Sequence, residues 1–383
     1  MRLALDDDQR ALADAVTRLA RRRADTLDLR AALASDRGYD DVLWTTLCEQ
    51  IGAAALAIPE EHGGAGYTVS ETLVVLERLG ADLTPTPLLG SGVLATQAIL
   101  AAAGPEHRGR LLPGLAEGRT IGALAWADTR GRWRTDGSDV EARRADGPAA
   151  AGPAAGGSAD GWRLSGTATL VVDGAEADLL LAVATTPDGV GLFEVAPGAP
   201  GAIREPTPAL DPTLRFATVH FDDAPATALT TDAAEALERV HDVATVAVTA
   251  LQVGGAQAAL DRTVEHLRTR VQFGRPLGSF QALKHRVADL HVQVESARSM
   301  FLAALWAAAA ADADPDALRY RAACAKAWCS EAFSTVAAEM VQLHGGIAIT
   351  WEHDAHLYFK RAHATAQLFG PAGAHRRRLL EYV

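Results

Sequence analysis

The sequence predicts an α+β chain of three domains: a helical domain over 1–119, an antiparallel β domain over 120–231 and a four-helix bundle over 232–383. Three observations carry this. Apolar residues at helical spacing fill the first third. From about Thr120 short β-type runs take over, separated by Gly, Pro and Asp. Beyond Ala233 long stretches return with few breakers, as a bundle requires.

In the helical domain, Leu5-Asp6-Asp7 opens a helix with acids at its positive end, and the arginines between 18 and 23 suit its close. A second helix is expected over 40–51. The glycines of Pro59-Glu-Glu-His-Gly-Gly-Ala-Gly66 predict a loop, followed by a helix over 69–79 capped by Gly80 and another over 89–103. The β-type runs are 122–126, 162–164, 168–172, 179–183 and 217–221. The low-complexity stretch 147–161 reads as a lengthened hairpin loop. In the bundle a long helix spans 233–270, about 55 Å at 1.5 Å per residue. Phe280, Leu283, Val287, Leu290, Val294 and Ala297 then form a seam with alternating steps of three and four, and helices over 315–344 and from 371 onward complete the bundle.

Composition excludes several functions. A formal net charge of -12 lacks the basic footprint of a nucleic-acid binder. Cys48, Cys324 and Cys329 give neither a disulfide framework nor CxxC spacing, which fits a reducing interior. The acidic N-terminus has no signal-peptide core, and no run of about 20 uncharged apolar residues suggests a span; the expectation is a soluble, cytoplasmic protein. His353-Asp-Ala-His356 lacks a third ligand placed by motif, so no metal is expected.

Two C-terminal segments are specific. Arg270-Val-Gln-Phe273-Gly-Arg-Pro-Leu-Gly-Ser-Phe-Gln281 places a guanidinium, an aromatic ring and an amide in one short segment between two helices. Gln342-Leu-His-Gly345-Gly346 ends a helix on two residues without Cβ. With the helix–β–helix order, these segments resemble the RxxFGxxL…Q and QxxGG signatures of the acyl-CoA dehydrogenase family, a likeness covering essentially the whole chain.

That resemblance implies FAD, held by Arg270, Phe273, Gln281, Gln342, Gly345 and Gly346, with Trp126, Ala127 and Val172 on the β-domain side. It also implies an acyl-CoA or acyl-carrier thioester beside Thr245, Phe369 and Gly370. Because Arg270-type and Gln342-type residues reach the cofactor from neighbouring subunits, it further implies a homodimer, a homotetramer or a heterotetramer with a homologous subunit, and electron delivery to an electron-transferring flavoprotein. Family members remove a Cα proton with a glutamate while hydride leaves Cβ for the flavin. Here Phe369 stands at the usual glutamate position, and Ala244 at the alternative one on the long helix. The remaining candidate bases are Asp242, His241 and His363. Ala127 and Val172 replace hydroxyl residues, leaving main-chain donors to serve the flavin. Three functions follow: an active dehydrogenase with an unusual base, a non-catalytic subunit completing the FAD site of a heteromer, or a family-fold protein outside redox chemistry, acting as a binding or scaffold protein or a lyase.

Overall fold

The computed structural model describes residues 4–24, 29–145, 161–310 and 314–382. Among the described residues, eight helical segments make the N-terminal region. Helix α1 (Asp7–Ala24) starts where Asp6 and Gln9 exchange side-chain-to-backbone hydrogen bonds, a reciprocal cap. It is followed by α2 (Leu29–Ala34), α3 (Asp41–Ile51) and a single 3-10 turn at Glu60–His62 inside the expected loop. Helix α4 (Val69–Ala81) has a complete Thr68/Glu71 capping box. A π-helical segment (Leu88–Ala95) runs into α5 (Thr96–Ala102), and α6 (Pro105–Ala116) closes the region.

Gly80 does not cap α4 as expected; it lies within the helix, where a Cβ would meet the Cα of Leu251 at 2.8 Å. Gly254 answers from the other side, since a Cβ there would meet the Glu77 carbonyl oxygen at 1.9 Å. These two glycines let α4 and the long bundle helix pack backbone to backbone, which ties the N-terminal helices to the bundle.

The central region contains β1 (Gly122–Ala125), β2 (Val140–Arg144), β3 (Trp162–Val172), β4 (Leu179–Thr186), β5 (Gly189–Val195), β6 (Ala202–Thr207) and β7 (Phe216–Thr230). The ladders β4–β2–β3–β7–β5 return to β4 and so close a barrel, with β1 on β4 and β6 on β7 as outer strands. Most pairings are antiparallel as expected, but β1 and β2 run parallel to β4. Apolar side chains such as Leu164, Phe193 and Val219 fill the interior. The predicted runs 162–164 and 168–172 are a single strand, bent by register shifts at 164–166 and 168–171. Strands β2, β5 and β6, short or broken by charge, were not anticipated. The low-complexity stretch, apart from Gly161, lies outside the described residues.

In the C-terminal region α7 (Ala234–Thr269) leads through a small hairpin, β8 (Val271–Gln272) and β9 (Arg275–Pro276), to α8 (Gln281–Ala309), α9 (Pro315–His344), α10 (Ala355–Gln367) and α11 (Ala372–Leu379). Helix α9 packs on α7, α8, α10 and α11. Helix α10 was not foreseen, because its apolar residues sit among His, Lys and Arg. Among the described residues α7 is the one helix long and apolar enough to cross a membrane, which amends the sequence reading; 89% of that stretch is buried within the chain, so its apolarity serves packing. The α8 seam is buried at Leu290, Val294 and Ala297 but only half-buried at Phe280, Leu283 and Val287.

Candidate functional site

The turn from α10 to α11 carries Leu368, Phe369 and Gly370 into a cleft of about 930 Å³. Its other walls are the loop after β1 (Arg130 to Trp133), Leu170 of β3, Phe216 of β7, the 207–210 segment, His241 of α7, and His375, Arg377 and Arg378 of α11. Phe369 has a φ of 56°, a left-handed conformation that costs an ordinary residue about 1–2 kcal/mol. The surroundings impose it. His375 reaches the Phe369 carbonyl with Nε2 at 2.9 Å. From behind, Lys326 of α9 donates to the carbonyls of Thr365 and Ala366, both at 3.0 Å. Arg361 of α10 forms a fully buried pair with Asp211 at 2.6 Å, which fixes the 207–216 segment against that helix.

Phe369 is 1% exposed and packs on Trp133, ring centroids 4.7 Å apart. Trp133 is delivered by a braced loop. The Asp128 carboxylate accepts from the Arg130 and Arg132 backbone N–H groups at 2.9 Å each, and from Arg132 Nε at 2.8 Å. Trp126 Nε1 donates to the Arg134 carbonyl at 2.6 Å.

Protonation states follow from the contacts. A carbonyl only accepts, so His375 carries its proton on Nε2; its buried Nδ1 has no partner among the described residues. Burial pushes the His375 pKa down to about 3. Arg378 Nη1 approaches His241 Nδ1 at 3.4 Å, so His241 accepts there and holds its proton on Nε2.

Several expected roles change. Asp242 is not an available base. It is 2% exposed, faces Arg378 at 3.4 Å and Arg319 at 3.7 Å, and lines a different hollow, beside Glu238 and Arg319. Thr245 is fully buried and spends its hydroxyl on the His241 carbonyl at 2.8 Å, so it lines no substrate space. Trp126, Ala127 and Val172 are at most 2% exposed and do not line the cleft; Trp126 stands 6.1 Å from the His241 ring, the Ala127 carbonyl accepts from Thr169 N–H at 2.9 Å, and Val172 borders a separate small hollow beside Tyr39 and Arg215. His241, His363, Phe369 and Gly370 do line the cleft. The sequence reading missed Trp133, His375 and Arg378. The run Arg376-Arg377-Arg378, one turn beyond Pro371, was the available signal for the last.

The Arg270 group lies elsewhere. Arg270 follows His241 by 29 positions along α7, which at 1.5 Å per residue is about 44 Å. At that end the rings of His266 and His344 stack at 4.3 Å, which brings the Arg270–Gln281 segment and the Gln342–Gly346 segment to one end of the bundle. All six expected cofactor residues there are exposed. Phe273 is 89% exposed with a φ of 54°, forgoing about 1.5–3 kcal/mol of burial. Arg270 makes no ion pair among the described residues. A Cβ at Gly345 or Gly346 would meet nothing within 4 Å; Gly345 is required by its own backbone, at φ 69° and ψ -148°, whereas Gly346 has no such requirement. An unpaired guanidinium, an open aromatic face and bare backbone suit a dinucleotide approached from outside the chain.

Residues 6–119 match the acyl-CoA dehydrogenase N-terminal domain, and residues 235–383 the acyl-CoA dehydrogenase C-terminal domain. The chain belongs to the acyl-CoA dehydrogenase family. Members are FAD-dependent oxidoreductases acting on CH–CH donors, and this chain is of that class. It is 40% identical to acyl-CoA dehydrogenase IpdE2 of Mycobacterium tuberculosis over 94% of this chain and 93% of that one. It is 39% identical to IpdE2 of Mycolicibacterium smegmatis, over 98% of each. Among solved structures, a variant of the Tcur3481-Tcur3483 steroid ACAD superposes with a TM-score of 0.83 at 33% identity, covering 98% of this chain and 97% of that one. The ChsE4-ChsE5 complex from Mycobacterium tuberculosis superposes at 0.84 with 29% identity, covering 100% and 98%.

Proposed function

We propose that the chain is a subunit of an oligomeric FAD-dependent dehydrogenase that introduces a Cα–Cβ double bond into an acyl thioester. The observation that carries this is the exposed set Arg270, Phe273, Gln281, Gln342, Gly345 and Gly346, which fits a flavin dinucleotide and is left open by the single chain. Bound FAD supplies the hydride acceptor. Arg270 would neutralise pyrophosphate charge with two parallel N–H donors, and Phe273 would cover an apolar face of the cofactor. The Phe369 cleft would hold the thioester, with Trp133 and Phe369 excluding water from its inner end. Purified oligomer should be yellow, and an acyl-CoA panel should bleach its flavin absorbance; a colourless protein that cannot be reconstituted with FAD would refute this reading.

A second observation favours one form of the oligomer. Among the described residues no Asp or Glu lines the cleft; of its three imidazoles His375 is committed to the Phe369 carbonyl, His241 to Arg378, and His363 is exposed at the edge with Nδ1 on the Phe359 carbonyl. Removing a Cα proton needs a free base within hydrogen-bond reach. This supports a heteromer in which a homologous chain supplies the glutamate, and two similar structures are named as pairs of chains, Tcur3481-Tcur3483 and ChsE4-ChsE5. Acyl-CoA should then bleach the flavin only when a glutamate-bearing homologue is co-expressed; equal bleaching by this chain alone would leave the base within it.

A further inference from the structure

The charge on the cleft is one-sided. Among the described residues its ionisable lining is Arg130, Arg132, Arg377, Arg378, His241, His363 and His375, with no carboxylate, in a chain whose formal net charge is -12. Of the four arginines, Arg132 is neutralised by Asp128 at 2.7 Å. Arg130 and Arg377 are exposed and make no ion pair among the described residues. Arg378 stands deeper, its side chain 29% exposed, between His241 and the buried Asp242, each at 3.4 Å. Asp242 also faces Arg319 at 3.7 Å and His241 at 3.8 Å, while Arg319 has Glu238 and Asp316 as further partners. Where the family pattern puts a negative side chain, the lining of this cleft thus presents arginine and histidine next to an apolar wall of Trp133, Leu170, Phe216 and Phe369. Low-dielectric walls lined by one sign of charge concentrate the opposite ion.

We propose that the inner end of the cleft binds the free carboxylate of an acidic acyl group, so that the preferred ligand is a dicarboxylic acyl thioester held by Arg378, with the His241 Nε2–H as a second donor. This rests on the cleft being the thioester site. An acidic acyl chain would be repelled by a glutamate at position 369; Phe369 and Arg378 turn that repulsion into attraction. Arg130 and Arg377 at the mouth offer the same chemistry to the phosphates of coenzyme A, so the two sources of negative charge must be separated.

The test is calorimetric titration of the FAD-loaded oligomer with adipyl-CoA, hexanoyl-CoA and coenzyme A. Adipyl-CoA should bind at least tenfold tighter than hexanoyl-CoA, and this preference should vanish in Arg378→Met and shrink in Arg378→Lys. In Arg130→Gln/Arg377→Gln all three ligands should weaken together, with the preference retained. Equal binding of adipyl-CoA and hexanoyl-CoA, or binding of coenzyme A as tight as either ester, would overturn the proposal. If Arg378→Met does not fold, the wild-type comparison alone decides. Flavin absorbance recorded on the same samples reports separately on the dehydrogenase reading, which survives if only the preference is missing.

Discussion

The cleft around Phe369 is closed by elements of a single chain, whereas the surface around Arg270, about 44 Å away along the same helix, is open. In the cleft every unusual feature has an internal cause. The left-handed φ of Phe369 is held by His375 and Lys326, and Trp133 is held by Asp128 and Trp126. At the bundle end the backbone is set locally, by the two-residue Phe273-Gly274 loop of the β8–β9 hairpin and by Gly345 at the end of α9, but the side chains are left open. Phe273 is strained and exposed, Arg270 makes no ion pair among the described residues, and Gly345 and Gly346 face open space. A protein keeps such costs only where another body offsets them. The difference is what the proposed function turns on: a pocket lined by one chain, and a cofactor site that a second chain would complete.

Breaking the open surface should have the largest effect. Arg270→Ala should cut bound flavin from about one per chain to below a tenth, read as the flavin-to-protein absorbance ratio after desalting; unchanged occupancy would move the cofactor elsewhere. Next, Phe369→Glu would return a carboxylate to the cleft. If this chain's own cleft lacks a base, that substitution should raise the single-turnover rate of flavin reduction at least tenfold, and a flat rate would argue that a base is already present. Asp242→Asn should destabilise by about 2 kcal/mol in urea melts, because it leaves the partly buried Arg378 without its counter-charge while Arg319 keeps Glu238 and Asp316. A loss under about 0.5 kcal/mol would instead leave Asp242 free for other roles.

The pH response sharpens the same contrast. Burial lowers the pKa of His375 from 6.5 to about 3 and that of His344 from 6.5 to about 4. Between those values and 6.5 the unfolded chain binds protons that the folded chain does not, so stability is full above pH 6.5 and falls as pH drops towards 3. His375→Gln should flatten the cleft's share of that fall, measured as Tm between about pH 7 and 4.5, while leaving the share of His344 at the bundle end. The smallest effect belongs to His363→Ala. His363 is exposed at the cleft edge and is tied to Phe359 at 3.0 Å, so flavin reduction should change less than twofold.

Much of this was legible in the sequence because it is periodic or punctuated. The long helices and the glycine-marked segments follow from local spacing, and Arg270, Phe273, Gly345 and Gly346 could be picked out because together they stand at the spacing of a family signature. Other features depend on distant contacts. Gly80 reads as a helix stop until Leu251 is seen against it, and Asp242 reads as a base until Arg319 and Arg378 are seen beside it. Trp133 and Arg378 reach the same cleft from positions 245 residues apart, which no local pattern encodes. Helix α10 hid because its buried face includes Arg361, whose burial makes sense only with Asp211 in place.

The proposed sharing of the cofactor site between chains would tie bound flavin to assembly. Size-exclusion chromatography with light scattering, monitored at protein and flavin wavelengths, tests this directly. Flavin absorbance should elute only with species of two chains or more, and dilution to monomer should release FAD. A monomer that retains one FAD per chain would contradict it.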